Sequence, residues 1–481
     1  MDQNRTPLFD AVKNYIDQNV KPFHVPGHKQ GLGISELREY IGNKVLEMDV
    51  NGMEDLDFAN NPTGVIWESE KLLADAFGAS YAHFLVNGTT SGVQTMIMSA
   101  CQPGDKIIIP RNAHKSTIGA IILSGAVPVY VQPEFNEKLG IAMGVSVDNL
   151  QKTINKHPHA KAVFLINPTY YGVASDLKSL VKLAHDHDMA VLVDEAHGAH
   201  MSFHENFPIT AMQAGADMSA ASTHKTAGSM TQSAVLLLKS KIIAPERVKA
   251  VLDLSFTTSA SYVLMCSIDV ARKQLAISGQ KIYDDVLGFV RDARDKINSI
   301  EGLYAFGKDM IGSIGCFDFD ETKLGICVKG LGFTGYEMEI CLREEYNIQV
   351  ELADLYNILA VVGIGDTKNN LDSLVNALKV ISGKTILRDF EYSINIPKSP
   401  PMIVSPRDAF FSPKRSVKLD KCEGEISGEL VMAYPPGIPL VCMGEKITRE
   451  VIAYIKVLKK QKCQLQGTAD TNVDYIRVLG N

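Results

Sequence analysis

Lys225 stands in the stretch Ser222-Thr223-His224-Lys225-Thr226-Ala227-Gly228-Ser229, between the apolar runs Ala216–Ala221 and Ser233–Leu238, each of strand length. Lysine is normally exposed, and a surface lysine on a loop is the ordinary reading of this one. Its place directly after a buried strand, beside a histidine and small hydroxyl residues, is unusual for a solvated charge and also allows attack on a carbonyl carbon. Asp194 follows an apolar strand in Val193-Asp194-Glu195-Ala196-His197-Gly198. An unpaired carboxylate there is costly and either meets a cation or caps a turn; a positively charged heterocyclic nitrogen would serve as that cation. His114, in Arg111-Asn112-Ala113-His114-Lys115-Ser116, offers an imidazole that can stack on a ring, or cap and pack. Asn87-Gly88-Thr89-Thr90-Ser91-Gly92 combines hydroxyls, a glycine and a helix start, a pattern that suits a phosphate and equally an ordinary turn and N-cap. It has neither the Gly-Lys-Ser/Thr ending of a P-loop nor the G-x-G-x-x-G fingerprint.

Together these residues meet the requirements of pyridoxal 5′-phosphate: a phosphate cradle, a carboxylate to keep the pyridine nitrogen protonated, a stacking imidazole and a lysine able to form a Schiff base. The surrounding pattern would position them. Helix-length periodic segments at Val65–Phe77, Thr90–Cys101, Lys115–Leu123 and Val147–Asn155 alternate with strands at Ala82–Val86, Lys106–Ile109, Val127–Val131, Ala162–Ile166 and Ala190–Val193. Such alternation implies crossover connections and a mostly parallel sheet covered on both faces, whose carboxyl ends collect ligands. Ala216–Ala221 and Ser233–Leu238 lack a helix-length gap and are expected to pair like a hairpin at a sheet edge or as an antiparallel insertion. A long helix over Ser267–Lys296 leaves this domain, and strands flanking a helix at Gly335–Tyr346 suggest a smaller α+β domain. The proline-rich Ile396–Pro413 reads as a linker. The expected division is an N-terminal segment 1–61, a large α/β cofactor domain 62–290, a small α+β domain 291–394 and a C-terminal region 395–481.

With 481 residues, 46% hydrophobic, the chain can bury a large core. A net charge of −7 without a Lys/Arg cluster argues against nucleic-acid binding. No long apolar run suggests a membrane span or signal peptide, which places the protein in the cytoplasm. Eight scattered cysteines show no metal-ligand spacing and no disulfide framework, so no metal is expected.

The motifs resemble those of the Orn/Lys/Arg decarboxylase family of fold-type-I pyridoxal-phosphate enzymes, in a short form without an N-terminal wing domain. The resemblance rests on Phe23-His24-Val25-Pro26-Gly27-His28-Lys29, Asn87-Gly88-Thr89-Thr90, Pro110-Arg111-Asn112-Ala113-His114-Lys115-Ser116, Asn167-Pro168-Thr169-Tyr170-Tyr171-Gly172, Asp194-Glu195-Ala196-His197, Ser222-Thr223-His224-Lys225 and Tyr434-Pro435-Pro436-Gly437-Ile438-Pro439. Within the family it is similar to biosynthetic arginine decarboxylases of Gram-positive bacteria. By this resemblance Lys225 carries the cofactor, Asp194 pairs with the pyridine nitrogen, His114 stacks on the ring, and Thr89, Thr90, Ser222 and His224 hold the phosphate. Lys225 or His197 would protonate the substrate Cα. The resemblance further implies a basic amino acid as substrate, arginine, lysine or ornithine, and a role in polyamine biosynthesis. It also implies a homodimer or higher assembly in which Thr257-Thr258-Ser259-Ala260-Ser261-Tyr262 reaches a neighbour's phosphate. A fold-type-I aminotransferase or lyase, or a non-catalytic homologue, are the competing readings. One departure bears on the substrate: where the family pattern is Leu-Asp-Asp-Leu-His-x-Pro, this chain has Leu56-Asp57-Phe58-Ala59-Asn60-Asn61-Pro62. Glu351, Asp354, Asp408 and Glu429, in loop-like segments, could serve a basic side chain, but each reads first as a solvated or structural acid.

Overall fold

A computed structural model describes residues 1–384, 397–433, 438–461 and 463–480. The expected boundary between 394 and 395 and the segment Tyr434-Pro435-Pro436-Gly437 lie outside these residues. The chain forms two compact units, one of residues 1–99 and 192–283, the other of 100–191 and 284–481.

In the first unit, Leu192–Asp194 at the end of the strand Ala190–Asp194 runs parallel to Met218–Ala221. Met218–Ala221 pairs antiparallel with Ala234–Leu238, which pairs antiparallel with Tyr81–Leu85. The antiparallel pair is therefore present, but Ala234–Leu238 does not form the edge: Tyr81–Leu85 does. All five residues of Ala234–Leu238 are buried, as expected for a strand with neighbours on both sides. The helix Gly88–Ala100 crosses Met218–Ala221 at Gly92, where a Cβ would come within 2.7 Å of the Ala220 Cβ, so only glycine permits this approach.

The helix Val65–Phe77 is anchored by Asp57, whose buried carboxylate accepts from the backbone N–H of Thr63, Gly64 and Ile66, at 2.7 Å from Gly64. Asp57 has φ +67°, a conformation L-residues rarely adopt, and the Tyr262 hydroxyl donates to its carbonyl at 2.7 Å. The one aspartate retained in the divergent Leu56–Pro62 segment is thus committed to the backbone, while Phe58 and Asn60 are exposed. Asp57→Ala is expected to cost about 2 kcal/mol, measured as a lower urea midpoint of the apo-protein.

In the second unit, Lys106–Pro110 runs parallel to both Val127–Val131 and Ala162–Ile166. A four-stranded antiparallel sheet follows, with Lys323–Cys327 between Tyr304–Ala305 and Asn357–Val361, and Leu352–Ala353 beside the latter. The helices Gly335–Tyr346 and Lys368–Lys384 accompany it. Residues 397–413 include the helix Pro406–Phe411, capped by Ser405. Beyond it, the ribbon of Lys414–Lys418 with Tyr475–Leu479 and the helix Arg449–Lys460 enclose a core of Val431, Val441, Val451, Ile455 and Ile476. The long helix Tyr262–Asn298 contains the boundary between the units. The whole is an α/β fold with a mostly parallel central sheet and an α+β C-terminal region.

Candidate active site

Lys225 lies on a single helical turn, Thr223–Thr226, that leaves the strand Met218–Ala221 with Ser222 as its N-cap residue. One isolated turn is not stable by itself, and side chains hold this one in place. Tyr283, 1% exposed on the long helix, donates from its hydroxyl to the Thr226 carbonyl at 2.8 Å. Ser229 Oγ donates to Thr223 Oγ1 at 2.8 Å. His224 Nδ1 is 2.7 Å from the Ser233 carbonyl. Burial lowers the His224 pKa, so the neutral ring donates from Nδ1 to that oxygen.

The half-buried Lys225 places Nζ 3.0 Å from His197 Nε2. Asp194, 6% exposed at the end of its strand, accepts from the Ala196 N–H at 2.9 Å. Burial raises the Asp194 pKa, while the Ala196 N–H and the Lys225 charge pull it down. Across the sheet, Thr89 Oγ1 meets Ser222 Oγ at 2.5 Å, joining the N-terminal turn of Gly88–Ala100 to the lysine turn. Thr90 follows on that helix and is exposed. The close approach at Gly92 is what lets these two hydroxyls meet.

The first unit also holds a cavity of about 270 Å³, lined in part by Asn87, Ser91, Gln232, Thr257, Ser259 and Ser261. Within one chain, then, the hydroxyls of the Thr257–Tyr262 stretch border the start of the Gly88–Ala100 helix; Tyr262 differs, being buried with its hydroxyl on Asp57. His114 belongs to the second unit, where it caps the helix Lys115–Ser124: its Nδ1 accepts from the Ser116 N–H at 3.2 Å and lies 2.9 Å from Ser116 Oγ.

Asp354, Asp408 and Glu429, considered for a basic side chain, have structural partners. Asp354 is half-buried, accepting from the Tyr171 hydroxyl and the Asn357 amide. Asp408 receives the Ser405 hydroxyl at 2.6 Å, and Glu429 accepts from the backbone of Ala469 and Arg477. Among the described residues, no three His, Cys, Asp or Glu side chains cluster to hold a metal, and no helix is long and apolar enough to cross a membrane.

Glu195 also follows the apolar strand. It is 2% exposed, accepting from Ser219 Oγ at 2.5 Å and from the Ala211 N–H at 2.8 Å. Burial pushes its pKa from 4.5 up to about 7. Between those values the folded chain holds a proton that the unfolded chain releases. Stability from this group is therefore full below pH 4.5 and lost as pH rises through about 7. Glu195→Gln is expected to remove that slope, worth about 3 kcal/mol, in urea unfolding of the apo-protein between these limits.

The donor set fits one kind of ligand. Two buried hydroxyls at a helix N-terminus suit a phosphate, a buried carboxylate suits a cationic ring nitrogen, and a held amine suits an aldehyde.

The Orn/Lys/Arg decarboxylase major domain matches residues 6–370, and the Orn/Lys/Arg decarboxylase C-terminal domain matches 396–472. The chain is 44% identical over 483 residues to an arginine decarboxylase of Bacillus subtilis (strain 168), covering 100% of this chain and 99% of that one. It is also 44% identical over 481 residues to an arginine decarboxylase of Halalkalibacterium halodurans, covering 99% and 98%. Its fold matches that of the Escherichia coli constitutive lysine decarboxylase with a TM-score of 0.84 at 20% identity, covering 100% of this chain and 82% of that one. An alanine–glyoxylate aminotransferase from Nostoc shares the fold more distantly, with a TM-score of 0.55 at 17% identity over 70% of this chain and 91% of that one. The match to both domain models and the full-length identity make the conclusion direct: this chain belongs to the Orn/Lys/Arg decarboxylase family.

Proposed function

We propose that this chain is a pyridoxal-phosphate-dependent α-decarboxylase converting L-arginine to agmatine and CO2. In this reading it acts in the cytoplasm as a homodimer, in polyamine biosynthesis. The observation that carries the reaction is the Lys225 amine held 3.0 Å from His197 and within the electrostatic reach of buried Asp194. Support for arginine over lysine or ornithine comes from the names of the full-length relatives at 44% identity.

When bound, the cofactor supplies a protonated ring that accepts the electron pair left by departing CO2. The protein's residues do the rest. Lys225 would hold the cofactor's aldehyde through its amine. Asp194, ionised beside a cation, would keep the ring nitrogen protonated, and His114 would be the stacking imidazole. Thr89, Thr90, Ser222 and His224 would hold the phosphate. His197 or Lys225 returns a proton to the substrate Cα.

The test is to incubate the cofactor-loaded protein separately with arginine, lysine and ornithine, measuring CO2 and the organic product. Equal amounts of agmatine and CO2 from arginine are expected. A keto acid would mark an aminotransferase, a diamine from lysine or ornithine would reassign the substrate, and no product from any of the three would leave a non-catalytic homologue.

A further inference from the structure

The loop that ends in His114 is gripped by a residue more than three hundred positions away. Arg111, whose side chain is 10% exposed, donates from Nη1 to Glu445 Oε1 at 2.5 Å and from Nη2 to Glu445 Oε2 at 2.9 Å. The Glu445 side chain is fully buried, and its Oε2 also accepts from the Cys442 N–H at 2.7 Å. Arg111 Nη2 reaches the Leu440 carbonyl at 3.3 Å, and the guanidinium lies 4.7 Å from the centre of the Tyr130 ring. A planar guanidinium paired with both carboxylate oxygens is fixed in direction as well as position, which a point charge would not achieve.

The backbone carries this restraint to the imidazole. Arg111 N–H donates to Val131 O at 3.0 Å, and Ala113 N–H donates to Pro110 O at 3.1 Å. His114 then binds Ser116 as the cap of the next helix. Arg111–His114 is therefore held at one end by its helix cap and at the other by Glu445. Arg111 lies in the part matched by the major domain and Glu445 in the part matched by the C-terminal domain.

We infer that Glu445, acting through Arg111, is a positioning residue that sets the orientation of His114. The inference rests on the reading of His114 as the group facing the cofactor ring.

The experiment compares full-length Glu445→Gln, Arg111→Lys and His114→Ala with the parent. It reads amide hydrogen exchange of residues 111–117 in the apo-protein, cofactor affinity by titration, and circular dichroism of the bound cofactor. For Glu445→Gln, exchange at 111–117 is expected to rise about tenfold while the strand Ala162–Ile166 keeps its protection. Cofactor affinity should fall about tenfold with an altered dichroism band, and adding His114→Ala should weaken binding no further. Parent-like exchange and affinity in Glu445→Gln, alongside weakened binding in His114→Ala, would overturn the inference and leave the reading of His114 intact. Parent-like affinity and dichroism in His114→Ala would overturn that reading itself. Should Glu445→Gln not fold, Arg111→Lys keeps the buried positive charge and loses only the two-pronged geometry, and the same readouts decide.

Discussion

Lys225→Ala is expected to lose the visible absorbance of bound cofactor and to lower arginine turnover by about four orders of magnitude or more. Three effects act in the same direction. In the proposed mechanism the variant would lack covalent attachment to the aldehyde and one of the two groups proposed to return the proton to Cα, and it leaves Asp194 without the charge that helps keep it ionised. Folding should survive: Lys225 is half-buried, and the tether from Tyr283 uses the Thr226 backbone rather than the lysine side chain. The measurements are the absorption spectrum of the reconstituted protein and CO2 release. A variant with the parent's spectrum and rate would remove Lys225 from the mechanism.

Asp194→Asn should move activity and stability in opposite directions. The amide oxygen can still accept from the Ala196 N–H, so the local turn is preserved, but the negative charge is gone. Without it the ring nitrogen is no longer held protonated, and turnover should fall about a thousandfold. The same change relieves the apo-protein of a buried charge that burial disfavours, so its urea midpoint at pH 7 should rise. Paired measurements of CO2 release and apo-protein unfolding test this. Unchanged turnover would show that Asp194 does not serve the ring.

Much of this arrangement was legible in the sequence because it follows local patterns. Strands such as Lys106–Pro110 and Ala190–Asp194 are short apolar runs, and the helix Val65–Phe77 has clear apolar periodicity. The placement of Ala234–Leu238 was less legible, since an apolar run does not reveal how many neighbours the strand has. The turn carrying Lys225 is too short for any helical period to register. The acids read first as solvated or structural, and the structure agrees for three of them. Asp354, Asp408 and Glu429 stand in loop-like sequence, yet their carboxylates serve Tyr171, a helix cap and two backbone amides. Tyr283 and Glu445 escaped notice for a related reason: their partners, Thr226 and Arg111, are distant in sequence, and neither residue stands in a pattern that announces chemistry.

The strand order of the first unit also has a consequence for synthesis. Tyr81–Leu85 finds its partner in Ala234–Leu238, roughly 150 residues later, so a ribosome adding 5–20 residues per second leaves it unpaired for about 8–30 s. During that interval Phe84 and Leu85, both buried in the finished protein, have no sheet to enter. The nascent chain thus carries an open strand edge through a large part of its translation, and its yield in the cell should respond to chaperones that shield such edges and to the speed of elongation.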